Sequence, residues 1–335
     1  MINNNMFKQI QDLLLLVVLS CLFNCNNNKP ELIKLSGPIF GTGYNIQYYS
    51  EDYTNYQKQF DSLFEVVNQS LSTYLQDSDI SKLNRNEITE VDYHFENVFK
   101  ASKIIYRQTE GVFDPTIGNV VNAWSFGAEK NKFTTDSITI DSLMKHVGLN
   151  RIGLVNANIR KPKNAYLEFN AIAKGYGIDV ISEFLESKSI NNYLVDIGGD
   201  MRVLGINLES NKGWSVGIDD PNFDGSQSYS KVISLKDESM ATSGTYRKFK
   251  IDDNGNRYAH IINTKTGYPT KSNILSVSVI APDCMRADGY ATAFQAMGLK
   301  KVTEFLERRP ELKVYFIYED DSNTLQTLSL NGFPE

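Results

Sequence analysis

The sequence predicts an α+β fold, and three observations carry that expectation. The first half is dominated by amphipathic helical patterns; the second alternates short strands with single helices; and the strands arrive as hairpins rather than as evenly spaced βαβ units. From Leu32 onward there is no repeat, no proline-rich linker and no low-complexity run, so residues 32–335 read as a single body behind a distinct segment, 1–25. With 335 residues, 41% hydrophobic and 22% charged, the chain has ample core to bury a site.

The leading segment holds one early cation, Lys8, then the apolar run "LLLLVVLSCLF" from Leu13 to Phe23. That run is too short for a helix spanning a bilayer, which needs about 20 residues, and matches the apolar core of a secretory signal. Cys21 and Cys25 stand at its end, where a bacterial lipoprotein signal places the cysteine that receives lipid. Ser20 supplies the small preceding residue for Cys21, whereas the polar "NNNK" flank favours Cys25; a plain cleaved signal with incidental cysteines is the alternative. The expected protein is exported and lipid-anchored to a bacterial membrane, facing the periplasm. Asn26 to about Glu31 reads as a polar tether, and Cys284 is the remaining cysteine, so no disulfide within the body is expected.

"YNIQYYS" (44–50) reads as a strand, and Tyr53 to Tyr74 as a helix with Phe60, Leu63, Phe64, Val67 and Leu71 on one face. His94 to Gly111 forms a second helix stopped by its glycine, and Asp141 to Gly148 a short third. "YLEFN" (166–170) reads as a strand and Ile172 to Ile190 as a helix. "NYLVDIGGDMRVLG" reads as strand, Gly198–Gly199 turn and strand. "WSVGIDDP", "YSKVISLK" and "SMATSG" are expected to continue one sheet. "ILSVSVIAP" is a buried strand leading through Asp283, a helix cap, into "MRADGYATAF"; a last helix and strand follow in "LKKVTEFLERRP" and "LKVYFIYED".

Composition and motif absences remove several function classes. A net charge of −6 without a basic block excludes a nucleic-acid surface. Gly175-Tyr176-Gly177 fails the dinucleotide pattern at Val180, and Lys174 precedes rather than follows its glycine, so no phosphate-binding P-loop exists there. No GxSxG, HExxH or paired-cysteine zinc spacing occurs. Of three histidines, His94 and His146 lie on helical patterns and are expected at the surface, while His260 sits between a strand and a polar turn.

Asp288 and Thr292 are the residues that packing does not explain. Four apart on a helix, they share a face with side chains roughly 5–6 Å apart, and such oxygens suit a hard cation such as Mg²⁺. The ordinary reading is that Thr292 bonds back to the Asp288 carbonyl while Asp288 supports the helix start. Gly289 favours the site, since glycine costs about 1 kcal/mol inside a helix and permits close approach.

Eight segments in order resemble the ApbE family, the FAD:protein FMN transferases: "FGTGYNI", "LSTYLQDSDISKLNR", "GVFDPTIGNVVNAWSFG", "LEFNAIAKGYGID", "YLVDIGGDMRV", "ATSGTYRKF", "HIINTKTGYP" and "RADGYATA". The resemblance covers almost the whole body and implies a mixed helix/sheet, T-fold-type domain over 32–335. It implies FAD as substrate and Mg²⁺ held by Asp288, Thr292 and a carbonyl of the Ala-Ile-Ala-Lys-Gly-Tyr stretch, that of Ala171. It places Lys174 against the FAD and Glu168 at the adenosine end. Phe40 and Tyr74 line the flavin pocket, Val112, Phe113 and Asp114 wrap the adenine side, and Ser243, Gly244 and Thr245 turn near the flavin. It makes His260 the group that accepts the acceptor hydroxyl's proton. Core packing for the phenylalanines and turn chemistry for Asp114 and the Ser243 to Thr245 segment are the ordinary alternatives. Asn170 and Thr264 depart from the Gly and Pro common in relatives, and by this mapping neither touches a ligand-bearing atom.

The implied reaction is FMN transfer from FAD to a Thr or Ser of an exported redox protein, releasing AMP. Its rivals are a Mg²⁺-dependent FAD diphosphatase and a non-catalytic flavin-binding lipoprotein. The family's acceptor pattern, Asp-Gly-x-Ser/Thr-Gly-Ala-Ser/Thr, is nowhere complete here; "DGYATAF" carries Ala291 at the acceptor position, so the acceptor is expected to be another protein.

Overall fold

A computed structural model describes residues 29–129, 136–222, 228–245, 249–251, 257–322 and 324–335. The expected N-terminal signal, with Cys21 and Cys25, lies outside the described residues. In chain order the strands are β1 (Glu31–Ile39), β2 (Thr42–Ser50), β3 (Gly153–Val155), β4 (Asn158–Arg160), β5 (Tyr193–Ile197), β6 (Asp200–Leu204), β7 (Trp214–Asp219), β8 (Tyr229–Leu235), β9 (Ser239–Gly244), β10 (Phe249–Ile251), β11 (Arg257–Ala259), β12 (Ile274–Ala281), β13 (Lys313–Glu319) and β14 (Leu325–Leu330). The α-helices are α1 (Gln57–Leu71), α2 (Asp79–Asn84), α3 (Tyr93–Gln108), α4 (Gly118–Ala123), α5 (Ser137–Met144), α6 (Ala173–Ser187), α7 (Cys284–Met297) and α8 (Leu299–Leu306).

Eight strands form one sheet in the order β1-β2-β5-β6-β9-β12-β13-β14, every neighbouring pair antiparallel. Strand alternation sends side chains to two faces. On one face Ile46, Tyr48, Val195, Val277 and Val279 pack against α1, α3, α6 and α7. On the other, Met201, Val203, Met240, Ile280 and Ile317 pack against Trp214, Val216, Ile218, Ile233 and Leu235 of the β7–β8 hairpin. Three layers result, helices on sheet on hairpin, which is the α+β class the sequence implies.

Two-residue turns set the register near the site. Ile197 pairs with Asp200 across Gly198 and Gly199, whose φ values of 60° and 90° give the twist a tight hairpin needs. Ile39 pairs with Thr42 in the same way, but there the first turn residue is Phe40, at φ 50°. A left-handed phenylalanine is strained by about 1–2 kcal/mol. It is held by packing edge-on against Phe64, 5.7 Å between ring centres, and over Gly177, where an added Cβ would lie 2.7 Å from the Phe40 ring.

Several expectations change. Residues 166–170 are not a strand: apart from one bridge between Tyr166 and Ile117, the segment is extended without a ladder. The Asn84 side chain takes the place of a neighbouring strand, its amide exchanging both bonds with the Leu167 backbone at 2.8 Å. The hairpin β7–β8 does not continue the main sheet but forms its own, because its apolar side chains cover the sheet rather than extend it. The expected tether runs into β1, which begins at Glu31 and is the sheet's edge strand. His94 is half-buried rather than at the surface, its Nδ1 lying 2.8 Å from the Tyr176 hydroxyl. His146 follows α5, which ends at Met144, rather than lying on it.

Candidate functional site

The site is built where α6 and α7 meet. Gly175 makes that approach possible: a Cβ there would lie 2.3 Å from the Cys284 carbonyl oxygen and 2.9 Å from Asp288 Cβ. One turn further along α6, the buried Asp179 accepts from the Cys284 and Met285 N–H groups at 3.0 and 2.8 Å, and Asp283 accepts from Arg286 N–H at 2.8 Å. Two carboxylates thus satisfy the first N–H groups of α7, which no turn of helix can serve. The Asp179 carboxylate also meets Arg202 at 3.0 Å.

Beside this crossing stand the Asp288 carboxylate, the Thr292 hydroxyl and the Ala171 carbonyl. Buried Asp288 accepts the Gly175 N–H at 3.0 Å through Oδ2. That N–H would otherwise serve the Ala171 carbonyl one turn back, and among the described residues no N–H reaches that carbonyl. Thr109 and Thr303 bond back to the carbonyl four residues earlier, at 2.8 and 3.0 Å; Thr292 makes no such bond among the described residues. The ordinary reading of the Asp288–Thr292 pair therefore fails at its threonine.

The electrostatics lean negative. Asp200, which opens β6 and is 1% exposed, meets Lys174 Nζ at 2.7 Å and accepts Thr242 N–H at 3.0 Å. Burial raises the Asp288 carboxyl above the usual carboxylate range, and the charge of Asp200 adds to that; Lys174 and the Gly175 bond only partly oppose it. Burial pulls on Lys174 in the opposite sense, but Asp200 and Asp288 outweigh it and hold its ammonium charged. Among the described residues two acids thus share one ammonium, and a cation beside Asp288 would favour its ionised form. Buried Cys284, its thiol pushed up by burial and surrounding carboxylates, offers no thiolate.

Three cavities converge here. A groove of about 640 Å³ runs between Phe40 and Tyr74, with Lys174 and Asn170 in its wall. A second, narrower cavity is bordered by Val112, Phe113, Asp114, Glu168, Ala171, His260 and Thr292. The third is bordered by Asp200, Ser243, His260, Asp288 and Thr292, with Gly198, Gly199 and Gly217 also in its lining. The loop carrying His260 is tied down by the Thr264 hydroxyl donating to the Gly111 carbonyl at 2.6 Å and by Trp124 Nε1 donating to Gly267 O at 2.8 Å.

A family model described as "ApbE family" matches residues 40–316. The chain belongs to the ApbE family. It is 34% identical over 320 residues to a Haemophilus influenzae protein named FAD:protein FMN transferase, covering 90% of this chain and 91% of that one. A Vibrio cholerae protein of the same name is 35% identical over 295 residues, covering 85% and 87%. The solved structure of "Flavin Transferase ApbE from Vibrio cholerae" superposes with a TM-score of 0.80 at 32% identity, over 90% of this chain and 97% of that chain.

The ApbE-derived residues gather with few exceptions. Thr245 borders none of the three cavities; its N–H bonds Leu275 O at 3.0 Å beyond the end of β9. Asp114 reaches its cavity as wall rather than as a free acid, its carboxylate taken by Thr116 at 2.6 and 2.8 Å and by Leu149 N–H at 3.2 Å. Phe113, 3% exposed, is at once core and cavity wall. Sequence reasoning missed Asp200, Asp179 and Asn170. For Asp200 a signal existed: an acid directly after Gly-Gly at the start of a strand has its side chain at the sheet's end, where sites form.

Proposed function

We propose that the chain transfers FMN from FAD to a Thr or Ser hydroxyl of an exported acceptor protein, with AMP as leaving group and Mg²⁺ as its metal. The observation that carries this reading is the meeting of three cavities at Asn170, two of them sharing His260 and Thr292, in a chain so similar to FAD:protein FMN transferases. One cavity accommodates the flavin, one the AMP half and one the incoming hydroxyl. Hydrolysis alone needs no third cavity beyond room for water, which is why transfer is favoured over the diphosphatase reading.

The donor set fits Mg²⁺. Asp288, Thr292 and the Ala171 carbonyl supply one carboxylate and two neutral oxygens, and no cluster of three His, Cys, Asp or Glu exists among the described residues. A site with one carboxylate and open positions suits a cation that shares its coordination with substrate phosphates. Bound there, Mg²⁺ neutralises the diphosphate and acts as a template. His260 takes the hydroxyl proton as the acceptor oxygen bonds the FMN-side phosphorus; the bond to the AMP phosphate breaks, and AMP leaves with that electron pair. Asp200 holds Lys174 at the flavin-side groove, keeping a fixed positive charge beside the phosphates. The aromatic faces of Phe40 and Tyr74 bracket a flat ring.

Asp288→Ala tests the metal assignment. Metal-dependent AMP release is expected to fall to background while circular dichroism stays native; full activity in this variant would sink the assignment. The chain is exported and lipid-anchored through Cys25 or Cys21, which membrane fractionation of single Cys→Ala variants checks: the variant lacking the modified cysteine is expected in the soluble fraction.

A further inference from the structure

Among the cavity-lining residues, Asn170 alone borders all three cavities; His260 and Thr292 border two each. Its side chain is exposed, and its amide has no hydrogen-bond partner among the described residues. The turn that carries it is nevertheless fixed. Phe169, fully buried, packs edge-on against Phe95 with ring centres 5.1 Å apart, and its carbonyl accepts from Ile172 and Ala173 N–H at 3.0 and 2.8 Å. The fold thus holds residue 170 at the tip of a rigid turn without using its side chain. A primary amide there offers two N–H donors that the protein itself leaves unspent.

We propose that Asn170 is a substrate-binding residue, its NH₂ group donating to the diphosphate at the bond that breaks. The proposal rests on the reading of the site as one that cleaves FAD between its two phosphates. A bond joining occupants of two cavities and attacked from a third must lie where all three meet, and that is where Asn170 stands. The local charge makes a neutral donor useful. Lys174, the one ammonium lining the three cavities among the described residues, is shared with Asp200 at 2.7 Å, so a second donor to the phosphates has a place. An amide facing the phosphoryl oxygens strengthens its bond as charge develops there; a preorganised, buried donor of this kind is worth roughly a hundredfold to a thousandfold in turnover, and an exposed one less.

Two variants test this. In Asn170→Ala, AMP release is expected to drop at least about tenfold in kcat with FAD affinity changed less, and with an unchanged melting temperature because the side chain is exposed and makes no hydrogen bond among the described residues. Wild-type kcat in this variant overturns the proposal. Asn170→Asp replaces the donor by an isosteric carboxylate facing phosphate, and FAD binding, followed by flavin fluorescence without turnover, is expected to weaken at least about tenfold. Equal FAD affinity of Asn170→Asp and wild type overturns it as well. Neither readout requires a protein adduct, so failure of the transfer reading shows separately, as AMP and free FMN from the wild type with no acceptor labelled.

Discussion

Gly175 sets the site's geometry at the scale of one residue. Because it lacks a side chain, α7 comes close enough for Asp288 to take its N–H, and that capture frees the Ala171 carbonyl. Gly175→Ala places a Cβ 2.3 Å from a backbone oxygen, which neither partner can yield cheaply. The variant is expected to lose about 1–3 kcal/mol in urea unfolding and, more tellingly, its Mg²⁺-dependent turnover. That Asp288 and Thr292 share a helix face is legible in sequence because a spacing of four is a local property of a helix. The surroundings of Asp200 and Asn170 are not legible in that way, since they come from residues far away in the chain: Lys174 and Thr242 for Asp200, three cavity walls from separate elements for Asn170.

Among the elements, α7 is the one the sequence described best, cap included, and the one most dependent on a remote residue. Asp179 accepts two of its opening N–H groups, and burial pushes that carboxyl up to about 6, with Asp283 adding to the rise. Its folded pKa lies above the unfolded value, so between about pH 4 and 6 the native state holds a proton that the unfolded chain has lost. The contribution of Asp179 to stability is therefore largest at the acid end of that window, falls as pH rises through it, and is level above. Asp179→Asn is expected to flatten this component: the wild-type advantage in unfolding free energy shrinks from pH 4 to 6. An advantage that grows over the same range would contradict the burial argument. The "YLEFN" segment shows the opposite case of legibility. Its apolar alternation is real, with Leu167 and Phe169 buried, but strand identity requires a neighbouring strand, and here the Asn84 side chain stands in for one.

For the whole molecule, the hairpins of the second half predicted an antiparallel sheet and the structure has one of eight strands. What sequence could not supply was the layering. Alternation along β7 and β8 is the same whether a hairpin extends a sheet or lies on it, and only the side chains it covers decide. The edge strand β1 escaped notice because its residues are mostly half-exposed, without a strong apolar face. The three layers bring the turns at Phe40 and at Gly198–Gly199 and the end of β9 to the helix crossing, so that three cavities share one corner at Asn170, which the proposed function gives to a ring, a nucleotide half and a hydroxyl. That convergence is the central claim. The described body, given FAD, Mg²⁺ and a protein bearing the Thr/Ser acceptor motif, would be denatured and analysed by intact mass for bound FMN and by chromatography for AMP. The account predicts acceptor carrying covalent FMN with AMP released in equal amount; AMP with free FMN and unlabelled acceptor, or FAD bound but unchanged, would contradict it.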